Sequence, residues 1–96
     1  MEGRDDILAK LRAIKLTLQQ EFPLRRLALF GSWARGDQTE NSDVDILVDV
    51  DPSIGLRFVT LAERLEAALG RRADVVSRRA IKPSLWNLIE PELIDA

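Results

Sequence analysis

The stretch DVDILVDV, residues 43–50, constrains the fold of this chain more than any other. Val44, Ile46, Val48 and Val50 occupy every second position, with Asp43, Asp45, Leu47 and Asp49 alternating against them. A period of two is the period of a strand, whose successive side chains point to opposite faces. One face of this segment therefore belongs against a core, and the other carries carboxylates.

The flanking sequence supplies the partners such a strand needs. Ile7, Leu8, Leu11, Ile14 and Leu18 follow helical spacing over residues 5–20, and Asp5 or Asp6 can cap the start. Pro23 ends that helix, because the residue before a proline is disfavoured in helical geometry. The apolar run RLALF, residues 26–30, reads as a buried strand closed by Gly31. Residues 32–35 read as one helical turn with Gly36 as a left-handed stop, followed by a polar loop over 36–42. A turn at residues 51–53 leads into a second amphipathic helix over residues 55–69, marked by Phe58, Leu61, Ala62, Leu65 and Leu69 and stopped by Gly70. RADVVS, residues 72–77, reads as a third strand, and Pro83 opens a short third helix that ends at Leu88 or Ile89. The tail ELIDA fits an edge strand or a frayed end equally well.

The link between the first two strands holds only a helical turn and a loop. That is too short for a parallel crossover, so the pair is expected to be antiparallel. The helix between strands two and three permits a parallel connection. The expected fold is a small α/β (α+β) domain with a mixed three- to four-stranded sheet and helices mainly on one face. With no repeat, linker or low-complexity segment, residues 1–96 read as a single domain.

Composition narrows the chemistry. The chain has no cysteine and no histidine, so disulfides, thiolate or imidazole metal sites and a histidine base are excluded. Any metal must sit on oxygen ligands, which suits Mg²⁺, Mn²⁺ or Ca²⁺. A net charge of −2 with both signs plentiful argues against a polybasic nucleic-acid binder. RNA binding through a local patch stays possible but is not favoured. No apolar stretch approaches the roughly 20 residues that span a bilayer, and the first ten residues lack the apolar core of a signal peptide. The expectation is a cytoplasmic protein with no membrane role. A domain of 96 residues keeps much of its surface wet, so a partner or a homo-oligomer would stabilise it.

Residues i and i+2 of a strand lie about 6.5–7 Å apart on one face. Asp43 and Asp45 can thus converge on one cation or a close pair. Mg²⁺ takes one or two carboxylates and completes its shell with water and phosphate oxygens. Gly31 and Ser32 stand at the end of a strand and the start of a helical turn, where backbone N–H groups and the serine hydroxyl can receive an anion. Arg35, one turn on, can neutralise phosphate charge. A third carboxylate is needed as further ligand or base. Asp49 lies roughly 13 Å from Asp45 along the strand, too far to share an ion. Asp74 is the better candidate if strand three neighbours strand two.

The combined pattern GSWARG…SDVDILV resembles the signature of DNA polymerase β-type nucleotidyltransferases, a Gly-Ser pair followed by Asp-x-Asp and a third aspartate on a later strand. Its extended form is similar to the minimal nucleotidyltransferase (MNT) domains, and the likeness runs over nearly the whole chain. The resemblance implies Mg²⁺-dependent transfer of a nucleoside monophosphate, AMP from ATP, to a hydroxyl. It implies that Gly31 and Ser32 hold the triphosphate, that Asp43 and Asp45 hold the metals, and that Asp74 is third ligand and base. Many such domains are encoded beside a HEPN-domain ribonuclease toxin, and some neutralise it by adenylylating a tyrosine. The chain has no room for an acceptor domain of its own, so an acceptor would come with that partner or across a dimer. The alternatives are a non-catalytic module that occludes its partner, and transfer to a small molecule or an RNA end.

Ordinary readings stand beside these. Arg35 fits a solvated surface residue, and Ser42 fits a cap at the start of the strand as well as a nucleotide contact. Trp33 fits packing over the first helix as well as base stacking. Asp74 fits a salt bridge to Arg71, Arg72 or Arg78.

Overall fold

The computed structural model describes residues 2–96. Helix α1, Arg4–Glu21, begins where the Asp6 carboxylate accepts the Gly3 N–H at 2.8 Å. It ends at Phe22, ahead of Pro23. Strand β1, Leu24–Phe30, runs into a five-residue helix α2, Gly31–Arg35, which stops at Gly36 in a left-handed conformation (φ +85°). Strand β2, Val44–Val50, is followed by the turn Pro52–Ile54 and by helix α3, Arg57–Leu69, which stops at left-handed Gly70. Strand β3, Ala73–Ser77, leads through the turn Arg78–Ala80 to helix α4, Pro83–Ile89. The turn Glu90–Glu92 and strand β4, Ile94–Asp95, close the chain.

The sheet order is β3-β2-β1-β4. β1 and β2 are antiparallel, as their short link requires, and β2 and β3 are parallel with α3 as the crossover. β4 pairs antiparallel with β1, which resolves the tail as an edge strand. β1 starts two residues earlier than its apolar run, because Leu24 pairs with Val50 across an irregularity at Arg25.

Both faces of the sheet are covered, unequally. On one, α1 and α3 pack Ile7, Leu11, Leu18, Leu61 and Leu65 against Val44, Ile46, Val48 and Val50, and Trp33 of α2 joins them. On the other, α4 covers a small cluster of Ala28, Leu47, Ile81 and Ile89. Leu47 lies on the aspartate side of β2 yet is wholly buried, because α4 shields that part of the face. Among the described residues no helix is long and apolar enough to cross a membrane.

Candidate active site

The parallel register sets the site. Asp45 on β2 is the direct partner of Asp74 on β3, and across the antiparallel side it faces Phe30, the last residue of β1. The next residue, Gly31, has φ +73°, a region that favours glycine. A Cβ at Gly31 would lie 2.0 Å from Asp45 Oδ2. The glycine therefore serves two purposes: it permits the turn from strand to helix, and it lets a carboxylate rest directly on the backbone.

Asp45 is half-buried, and its carboxyl is pushed above the ordinary carboxylate range. Burial is the main cause, followed by the negative charges of Asp74 and Asp43, while Arg35 pulls the other way. Asp43 is exposed just ahead of β2 and pairs with Arg72 Nε at 3.3 Å. Asp74 is exposed and makes no ion pair among the described residues. The three arginines that offered one are engaged elsewhere: Arg71 with Glu2, Arg72 with Asp43, and Arg78 over the Trp86 ring at 3.8 Å.

Gly31, Arg35, Asp45 and Asp74 line one open pocket of about 390 Å³. Its far wall is apolar, formed by Val76, Ile81, Leu85 and Leu88. Ser42 and Asp43 instead line a neighbouring depression with Arg71 and Arg72. The Ser42 hydroxyl accepts the Thr39 N–H at 2.9 Å and so braces the loop before β2. Ser32 is half-buried, and its carbonyl accepts the N–H groups of Gly36 and Asp37, which fixes the turn. Trp33 is a core residue whose indole N–H donates to the Ser42 carbonyl at 3.2 Å, while Arg71 stacks over its ring.

Sequence reasoning missed Glu92. It lines the same pocket, accepts the Gly31 N–H at 3.3 Å and pairs with Arg35 Nη1 at 2.9 Å. Its position in the tail gives no local pattern that could connect it to Gly31.

Among the described residues no three carboxylates are grouped so as to hold an ion in this structure. The donor set nevertheless fits a hard divalent cation. It is all oxygen, it centres on a carboxylate whose neighbours raise its proton affinity, and a cation is what relieves that repulsion.

An aspartate pair on adjacent parallel strands thus stands against a glycine-opened helical turn on a mixed sheet, the arrangement that the sequence resemblance to nucleotidyltransferases implies. Residues 11–95 match the nucleotidyltransferase domain family, so the chain belongs to that family and is a nucleotidyltransferase. It is 40% identical over 92 residues to the protein adenylyltransferase MntA of Thermococcus cleftensis, covering 94% of this chain and 92% of the relative. A Methanocaldococcus jannaschii protein bearing a protein adenylyltransferase name is 38% identical, with 98% of each chain covered. Among solved structures, one described as a minimal nucleotidyltransferase superposes with a TM-score of 0.81 at 32% identity, over 97% of this chain and 95% of the other. A toxin–antitoxin structure with AMP-PNP gives 0.71 at 31% identity, over 90% of this chain and 70% of the other.

Proposed function

We propose that residues 1–96 act in the cytoplasm as one minimal nucleotidyltransferase domain that moves AMP from ATP to a tyrosine hydroxyl on a HEPN-domain ribonuclease toxin. The chain is thereby the antitoxin of that pair. The observation that carries this reading is the parallel register that seats Asp45 beside Asp74 and directly on Gly31. The adenylyltransferase name of the Thermococcus relative and the toxin–antitoxin structure with AMP-PNP support the donor and the kind of partner.

In this reading the Gly31 N–H, the Ser32 hydroxyl and Arg35 receive triphosphate oxygens, with Ser42 bracing the loop alongside. Asp43, Asp45 and Asp74 would hold Mg²⁺, in a two-ion site that Mn²⁺ also suits. When bound, the metal would neutralise phosphate charge and lower the pKa of the attacking hydroxyl. The acceptor oxygen bonds to the α-phosphorus, the bond from that phosphorus to the bridging oxygen breaks, and pyrophosphate leaves. The acceptor's proton passes to the Asp74 carboxylate, which is exposed and makes no ion pair among the described residues. In this reading the partner supplies the acceptor hydroxyl.

The test is label transfer from α-labelled ATP with Mg²⁺ and the candidate toxin. Asp45→Asn and Asp74→Asn are each expected to lower the rate by a factor on the order of 10²–10⁴. Transfer that survives both changes together would remove the site from the mechanism. Tight toxin binding with no transfer by the unaltered protein would instead establish an occluding module.

A further inference from the structure

Glu92 stands where an incoming anion would bind. It reaches the pocket from the turn Glu90–Glu92, 61 residues beyond Gly31, and divides its two oxygens between separate donors. One oxygen takes the Gly31 N–H at 3.3 Å, and the other takes Arg35 Nη1 at 2.9 Å. These are two of the three donors assigned above to the triphosphate. A carboxylate there is not placed by its acidic surroundings, since it adds to the negative charge around Asp45. The two donors are what hold it.

We infer that Glu92 is an internal competitor of the nucleotide, a tethered carboxylate that takes the donors proposed for phosphate and swings aside when a triphosphate enters. This inference rests on the proposed function. Two features make the exchange feasible. Arg35 Nε is held independently by Asp37 at 3.1 Å, so the guanidinium keeps a second tether when Glu92 leaves. The ion pair is also partly exposed, with side-chain accessibilities of 47% and 29%, so it is weak enough to be displaced. A competitor of this kind lowers apparent affinity by the fraction of molecules in which the site is open.

Binding of AMP-PNP with Mg²⁺ to the full chain, measured by isothermal titration calorimetry, tests this. Glu92→Gln keeps the side-chain size and removes the charge, and Glu92→Ala removes the carboxylate. Both are expected to tighten binding by a factor of about 3–10. Arg35→Ala should weaken binding, and adding Glu92→Gln to Arg35→Ala should give a smaller gain than in the unaltered background, because one of the two competing contacts is already lost and only the Gly31 N–H remains to be freed. Binding that is unchanged or weaker in both Glu92 variants, with the unaltered protein still binding, overturns the competitor and leaves the proposed function standing. A gain from Glu92→Gln that persists undiminished without Arg35 also overturns it, since the effect would then be general charge repulsion. No nucleotide binding by any variant overturns both.

Discussion

A single added methyl at Gly31 tests the geometry of the site. Gly31→Ala must adopt φ +73° and must push the Asp45 carboxylate off its backbone seat. The strained conformation alone is expected to cost about 1–3 kcal/mol, read as a lower urea midpoint at unchanged slope. Nucleotide transfer should fall further than stability explains, because Asp45 is displaced. Asp45 itself makes the opposite prediction. Its charged form is disfavoured by burial and by two like charges. Asp45→Asn should therefore raise the unfolding temperature in metal-free buffer at neutral pH, while slowing transfer as stated above. An unchanged or lowered unfolding temperature would show that the carboxylates do not strain the folded state. That Gly31 and Asp45 meet was legible because both lie within one short stretch, where strand and turn geometry tie spacing to direction, whereas Asp43 faces a neighbouring depression instead. Glu92 was not legible, since only tertiary folding brings it to Gly31.

At the scale of elements, β4 is the least secured. It has two register pairs, and the backbone bond from Ala96 N–H to the Leu27 carbonyl extends it at 2.9 Å. The Asp95 carboxylate is gripped by Arg26 through bonds of 2.7 and 3.2 Å, and Arg12 and Lys15 of α1 donate to the Asp95 and Ala96 carbonyls at 3.3 and 2.8 Å. That grip holds the Asp95 carboxyl below the ordinary carboxylate range. A folded pKa below the unfolded one contributes stability above the unfolded value, near pH 4, and the contribution is lost as pH falls through the folded value. Hydrogen exchange should show the Ala96 amide losing protection below about pH 4, before the β1–β2 amides do. Equal loss across the sheet would show that β4 is no separate unit. The strength of an edge pairing lies in its partner, here β1, which is why ELIDA alone fitted a strand and a frayed end alike. The helices were legible from their own sequence, since Gly36 and Gly70 stop α2 and α3 and Pro83 opens α4. The burial of Leu47 was not, because it depends on where α4 lands.

For the molecule as a whole, charge is arranged in pairs. Arg25 meets Asp51, Arg26 meets Asp95, Arg71 meets Glu2, and Arg72 meets Asp43. The adjacent arginines Arg25 and Arg26, and likewise Arg71 and Arg72, are thus distributed over separate acidic partners, while Arg78 stacks on Trp86. The two faces of the sheet also divide the labour. Among the described residues the larger cluster under α1 and α3 contributes none to the lining of the candidate pocket, while the smaller one beneath α4 contributes Ile81 and Ile89 to its wall.

The parallel register of β2 and β3 has a temporal side as well. Closing it must bring Asp45 to Asp74 across the whole of α3, whereas β1 and β2 meet across a shorter link, so the parallel pair is the slower one to form. In refolding from urea, helical ellipticity should return first and enzymatic competence last. An incomplete chain emerging during synthesis would then be unable to modify anything, and the ability to act becomes a certificate of finished folding.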